Sequence, residues 1–378
     1  MRARVSRGVA RSYKHVAKPL LFKLKPDGVH SRTLWLSSRA QRSPSLLRVV
    51  RKNLAYENPE RLGHVVRGMW FDNPIGLSAG FDKNFELPLM MRAIGFGFME
   101  GGSVTHLPCA GNPRPWFHRL PHSRSLVVHA GLANQGVEAV VHRLHSYSWG
   151  ALEDFPLNIS VALTNNKVLI KTEDQAIADY IGSLWYIRQA RVGQIVTLNI
   201  SCPNTYQGEP FTTPKMLERL LGEVDELRMR QSIFIKMPNH LAWREFKRLL
   251  DVIVRHNIAG VTISNLAKRE AGVELQDALP DSIRGGLSGK PTWARSNELI
   301  RRTYKSYGDK LAIIGVGGVF SAEDAYTKIR LGASLVELIT GMIFEGPALI
   351  GQINKGLAEL LERDGFDNVR QAIGADVR

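Results

Sequence analysis

Hydrophobic and polar positions change rhythm near residue 73. Before that point the rhythm is helical: Tyr13, Val16, Ala17, Leu20, Leu21 and Leu24 recur every three or four residues, with Arg11, Lys14, His15, Lys18 and Lys23 between them. This spacing predicts a basic amphipathic helix over 13–24, kinked at Pro19, whose ring removes a backbone donor. A second short helix is expected after Pro26-Asp27, carrying Val29, Leu34 and Leu36, and then a polar connection to about Arg67. Past residue 73 the chain alternates eight short β-rich runs with helical stretches, the runs being 74–79, 96–103, 157–163, 195–201, 233–238, 260–265, 311–317 and 333–340. Thr172 with Gln175 and Ser321 with Asp324 have capping-box spacing, and Thr213-Pro214 reads as an N-cap followed by proline at the first helical position. Eight βα units between about 73 and 364 predict an α/β fold, one closed (β/α)8 TIM barrel with an N-terminal helical segment. The runner-up, a pair of Rossmann domains, wants a glycine-rich turn after an early strand, and no GxGxxG stands there.

Charge sharpens the division into a segment 1–70 and a body 71–378. The first 70 residues hold 16 lysines and arginines against three acids, a net +13 of the chain's +15, which leaves +2 for the body. So weakly basic a body argues against nucleic acid as a partner. A basic head with an apolar stripe points instead to an anionic membrane surface; the bland alternative is that its helices simply pack on the body. A mitochondrial transit peptide is the second use for an arginine-rich, acid-free start up to Lys25. No apolar stretch reaches the ~18–20 residues of a membrane span. With Cys109 and Cys202 as its only cysteines the chain has no disulfide framework and no cysteine-rich zinc site, so no metal is expected.

Barrel enzymes build their sites at the C-terminal ends of the strands. Here those ends carry Ser78-Ala79-Gly80 with Lys83, Gly102-Ser103, Asn199 through Asn204, Lys236, Ser264-Asn265, Gly317-Gly318 and Thr340-Gly341. Two lysines, three asparagines and a thiol would converge on one mouth. The glycines after strands seven and eight suit a phosphate, because backbone N–H groups can approach an anion where no Cβ intervenes.

These residues resemble the dihydroorotate dehydrogenase family, specifically its membrane-associated, quinone-linked class 2. The resemblance runs through NPIGLSAGFDKN, GFGFMEGGSVT, GNPRPWFHRLP, LNISCPNT, GGLSGKP, IIGVGGVFSAEDAYTKIRLGASLVEL and the closing AIGADVR. Leu24 to His30 looks like the class's N-terminal Leu-Asp-Pro-Glu-x-Ala-His pattern. It implies a barrel holding FMN, with N-terminal helices forming an apolar tunnel for a membrane quinone. Position by position, Ala79, Gly80, Ser103, Asn199, Lys236, Ser264, Gly289, Gly318 and Thr340 match FMN-holding residues, and Lys83 is counted with both cofactor and substrate. Lys83, Asn199, Asn204 and Asn265 match residues that hold the pyrimidine. Arg119 and His30 match residues of the quinone tunnel. Cys202 stands at the catalytic base, where class 2 has serine and the soluble class 1 has cysteine. A thiol of reference pKa ~8.5 is competent there once ionised.

Other positions depart from the pattern. Val128 replaces a substrate-binding asparagine, Ala162 a flavin-contacting asparagine, Leu266 a threonine or serine, and Ile339 a tyrosine beside the quinone, while Asn134 and Thr164 or Asn165 are candidates to compensate. The resemblance therefore implies oxidation of dihydroorotate to orotate in pyrimidine biosynthesis, with electrons passing through FMN to a quinone. The alternatives are a diverged FMN-dependent paralogue, a tRNA-binding flavoprotein resembling dihydrouridine synthases, and a non-catalytic flavin-binding membrane protein. The location it implies is peripheral, on the cytoplasmic face of an inner membrane, or alternatively the mitochondrial inner membrane.

Overall fold

The computed structural model describes every residue except Met1, Ser148, Gln207, Glu270, Ala271 and Arg378, so the last residue of AIGADVR lies outside it. The chain opens with α1 (Arg2–Ser12), a π-helical turn over Tyr13–Ala17 and α2 (Lys18–Lys23). The widened turn stands just ahead of Pro19, whose missing N–H cannot complete the α-helical ladder, and helical backbone begins at Arg2, well before the predicted start at Tyr13. α3 (Pro26–Ala40) is the second predicted helix, longer than expected. The stretch read as a polar connection instead forms α4 (Pro44–Leu54), α5 (Pro59–Leu62) and a hairpin of β1 (His64–Val66) with β2 (Met69–Phe71). Local signals for both helices are present: the Ser43 hydroxyl accepts from the Leu46 N–H and the Asn58 side chain from the Arg61 N–H, each followed by proline at the first helical position.

The body continues with β3 (Ile75–Leu77), α6 (Pro88–Ile94), β4 (Phe98–Val104), β5 (Phe117–Leu120), β6 (Ser125–Val128), α7 (Val137–Ser146), α8 (Trp149–Leu152), β7 (Leu157–Val161), α9 (Glu173–Ala190) and β8 (Ile195–Asn199). Then come α10 (Pro214–Glu226), β9 (Ser232–Met237), α11 (Trp243–Ile253), β10 (Gly260–Ile263), β11 (Gly286–Leu287), α12 (Trp293–Tyr307), β12 (Ala312–Val316), α13 (Ala322–Arg330), β13 (Leu335–Leu338), α14 (Thr340–Glu345) and α15 (Leu349–Arg363). Eight strands close a barrel in the order β3, β4, β7, β8, β9, β10, β12, β13, one for each of the eight predicted runs, with β4 and β9 overrunning theirs by a residue. A side sheet of β5, β6 and β11 stands beside the mouth. Thr172 and Gln175 form a reciprocal capping box. Ser321 caps the Asp324 N–H, but Asp324 reaches back to Phe320 instead, and Thr213 occupies its cap position without a side-chain bond.

Strand side chains alternate between the two faces. Outward residues such as Leu77, Met99, Val196, Ile235, Val261 and Val336 are buried against the helices. Inward, the N-terminal end is an apolar plug of Phe98, Ile195, Phe234, Ile314 and Leu335, completed by Phe71 from β2. A Cβ at Gly76 would lie 2.2 Å from the Phe98 ring and one at Gly260 2.4 Å from the Phe234 ring, so these glycines make room for the aromatics. Two residues further along the same strands the inward set turns polar: Ser78, Glu100, Asn158, Thr197, Lys236, Thr262 and Glu337, each almost wholly buried.

Candidate active site

The C-terminal mouth opens into a cavity of about 560 Å³ that runs on between the N-terminal helices. All fifteen residues singled out from sequence line it: His30, Ala79, Gly80, Lys83, Ser103, Arg119, Asn199, Cys202, Asn204, Lys236, Ser264, Asn265, Gly289, Gly318 and Thr340. Its outer wall is apolar, built from Leu21, Val29, Val50 and Leu54 of the helices with Met90, Met91 and Ile94 of α6.

At the polar centre the Asn199 amide donates to Ser103 Oγ at 2.9 Å, and its oxygen accepts from Asn265 Nδ2 at 2.8 Å. Asn265 also donates to the Ser201 carbonyl at 2.8 Å. Three strand ends are thereby locked together by side chains that keep little freedom of their own. Asn204 donates to the Val128 carbonyl at 2.9 Å, which ties the loop after β8 to the side sheet. Cys202 lies in that loop, and burial pushes its thiol up to about 11, against the lowering pull of the Asn204 backbone N–H and Lys236. The surrounding protein desolvates the thiolate, so the ionisation that a base role requires comes above the reference value.

Lys83 donates to the Gly80 carbonyl at 2.8 Å and sits over the Phe117 and Trp116 rings. Burial lowers it to about 8, with Asp82 and Asp27 opposing. Asp82 is fully buried and accepts from the Asn84, Glu86 and Leu87 N–H groups, so it fixes the loop that presents Lys83. At the far wall Gly289 and Gly318 both have left-handed backbone, at φ 81° and 72°, and Thr340 Oγ1 lies 2.9 Å from Ser288 Oγ. A Cβ at Gly318 would fall 2.3 Å from Trp293 Cβ, so only glycine keeps that wall in place.

Along the outer tunnel, His30 packs edge-on between Phe81 and Phe117, with centroids 5.3 Å away in each case. Burial, then Lys83 and Arg114, drive its pKa down to about 3, so its ring is neutral in use. Arg119 donates to the Leu24 carbonyl at 2.8 Å and the Phe22 carbonyl at 3.3 Å, gripping the open C-terminal end of α2.

A family profile described as Dihydroorotate dehydrogenase matches residues 61–361. The chain belongs to the dihydroorotate dehydrogenase family. It is 32% identical to the Dihydroorotate dehydrogenase (quinone) of Nostoc punctiforme, over 97% of this chain and 98% of the relative. It is 36% identical to the enzyme of that name from Anaeromyxobacter dehalogenans, over 96% of each. Among solved structures, DHODH of Eimeria tenella in complex with ferulenol superimposes with a TM-score of 0.78 at 28% identity, covering 93% of this chain and 96% of that one. The same enzyme without ligand gives 0.79 at 27% identity, covering 93% and 99%.

Set against the dihydroorotate dehydrogenase pattern, Val128, Leu266 and Ile339 all line the cavity, whereas Ala162 does not. The compensation expected from nearby polar residues is absent. Asn134 spends its amide on Thr105 and Leu132, Thr164 is bonded to Asp179, and Asn165 to Gly131 and Tyr206. None of the three lines the cavity. Sequence reasoning also passed over Glu100 and Glu337, which join Lys236 beneath the mouth. The signal was available: each is a lone carboxylate inside an otherwise apolar strand, in FGFMEGGS and ASLVELIT.

Proposed function

We propose that this protein oxidises dihydroorotate to orotate with FMN as cofactor and a membrane quinone as electron acceptor. The observation that carries the reading is convergence: residues drawn from positions 30 to 340 meet in one cavity, polar at the barrel mouth and apolar where it passes between the helices. The residues present fit FMN. Gly289, Gly318 and Thr340 offer a close-approach wall for a phosphate, while Asn199, Lys236, Ser264 and Asn265 offer donors and acceptors for a flat ring. Bound there, FMN supplies the two-electron acceptor. Lys83, Asn199, Asn204 and Asn265 hold the pyrimidine, Lys83 taking its carboxylate. Cys202 receives the carbon-bound proton as hydride departs. His30 and Arg119 line the route of the quinone, Arg119 by holding the end of α2.

Residues 1–70 dock this tunnel on an anionic membrane surface, at the cytoplasmic face of an inner membrane. Seven of the fourteen exposed large hydrophobic side chains among the described residues lie there between Val16 and Val49, alongside most of the net charge. Among the described residues no helix is long and apolar enough to cross a membrane.

Val128 and Leu266 favour a second reading, a paralogue acting on a related ring that is less polar at that edge. One experiment separates the two. Under anaerobic conditions dihydroorotate should bleach the flavin absorbance of the purified protein, and a soluble quinone should restore it. An FMN-loaded protein that stays oxidised with dihydroorotate rejects the first reading in favour of the second.

A further inference from the structure

The polar layer inside the barrel contains a carboxyl group that nothing described so far uses. Glu100 on β4 is matched at one oxygen: its Oε2 accepts from Lys236 Nζ at 3.0 Å and from the Ala79 N–H at 3.1 Å, while Oε1 makes no hydrogen bond. Glu337 on β13 has no exposed surface and lines the cavity; neither oxygen makes a well-formed hydrogen bond, and its carboxyl group lies against the side chains of Glu100 and Ser78. Facing it from the other strands are Ser78, Glu100, Asn158, Thr197, Lys236 and Thr262, with Cys202 acting on Lys236 from the loop above. One ammonium thus serves two carboxyl groups, above a plug of Phe98, Phe234 and Leu335 that closes the way to solvent. An unpaired carboxylate in such a place is far costlier than its neutral form. Burial first, and then Glu100, raise Glu337 well above its ordinary range. For Lys236 burial pulls downwards, but the carboxylates outweigh it and keep it charged.

A neutral carboxyl has one O–H to give. Resting on the FMN reading of this site, we propose that Glu337 is held as the neutral acid and donates a hydrogen bond to the pyrimidine edge of the flavin bound above it. That edge carries carbonyl and ring-nitrogen acceptors and gains negative charge on reduction, which strengthens a bond donated to it. Lys236, already paired with Glu100, supplies less than a full charge there, and Glu337 adds the missing donor.

The test is difference infrared spectroscopy of the FMN-loaded protein, oxidised against chemically reduced, at neutral pH, on wild type, Glu337→Gln and Glu337→Leu. Wild type should show a protonated-carboxyl C=O stretch that moves on flavin reduction, and both variants should lack it. Redox titration supplies an independent measure. Glu337→Leu should weaken reduced relative to oxidised FMN by about tenfold to a hundredfold, a fall of about 30 mV in midpoint potential per tenfold for two electrons. Glu337→Gln fills the same space and keeps a donor, so it should recover most of that loss. FMN-loaded wild type without the band, a band indifferent to reduction, or an unchanged potential in Glu337→Leu overturns the inference. A wild-type protein that takes up no FMN overturns the function reading itself, and the donor role with it.

Discussion

At the scale of single residues, burial sets the chemistry more than identity does. Cys202 is ionised only to a small extent at neutral pH because desolvation raises its thiol to about 11. If it is the base, flavin reduction by dihydroorotate should keep accelerating as pH rises through the alkaline range, since only the thiolate accepts the proton. Cys202→Ala should slow that half-reaction by roughly the 10²–10⁴-fold of a lost general base while sparing the flavin spectrum. Stopped-flow mixing without oxygen measures both, and an alanine variant as fast as wild type moves the role elsewhere. His30 gives a stability prediction of definite sign. It is neutral when folded, with a pKa of about 3, against an ordinary value of 6.5, so below pH 6.5 the unfolded chain binds a proton that the folded chain refuses. Stability should therefore be lost as pH falls from 6.5 towards 3, by on the order of a few kcal/mol at the acid end. Thermal melts of His30→Leu should show a smaller acid-induced drop than wild type.

At the scale of elements, the tunnel depends on how α2 and α3 are held to the barrel. Arg119 grips the carbonyls of Phe22 and Leu24, Phe22 packs edge-on against Phe344 at 5.3 Å, and Asp27 accepts from the Trp116 N–H at 3.0 Å. Arg119→Ala removes a charged donor from two carbonyls, a loss of roughly 1.5–3 kcal/mol, and frees the end of α2. The expected outcome is a split: flavin reduction by dihydroorotate unchanged within about twofold, and reoxidation by a quinone slowed by about tenfold or more. Equal slowing of both steps would place Arg119 at the barrel mouth instead of in the tunnel. The capped starts of α4 and α5 show what a coarse periodicity scan overlooks. Both helices begin at Asx- or Ser-capped prolines, but they are short, and they acquire their partners only in the folded chain, α4 from α6 and α1, and α5 from α15.

At the scale of the molecule, charge and exposed apolar surface coincide on the N-terminal helices. Each lysine or arginine near an anionic bilayer contributes roughly 1 kcal/mol, so vesicle binding should weaken steeply with salt. Replacing exposed Trp35 and Leu36 by glutamate in the full-length chain should release it from anionic vesicles without lowering its melting temperature, because neither side chain is part of the core. Sedimentation that leaves the double variant pelleting like wild type would place the membrane-facing surface elsewhere.

The barrel was legible in the sequence because each strand is short, apolar and followed by a helix, and each run needs only its own neighbours to be recognised. Ala79, Lys83, Asn199, Cys202 and Asn265 were legible as strand-end residues for the same reason, and their meeting in one cavity follows from barrel closure. What the tertiary structure alone decided are the properties that depend on distant neighbours. The sequence offers Asn134 and Thr164 as candidates to replace missing polar partners, whereas the fold spends them on Thr105 and Asp179. It shows Cys202 as an ordinary thiol, whereas enclosure raises it. It shows Glu100, Lys236 and Glu337 as three charges separated by up to 237 positions, and only closure of the barrel puts two carboxyl groups around one ammonium in a buried layer. Local patterns specify elements; burial and pairing belong to the packed whole, because desolvation is set by everything that surrounds a group and not by the residues beside it in the chain.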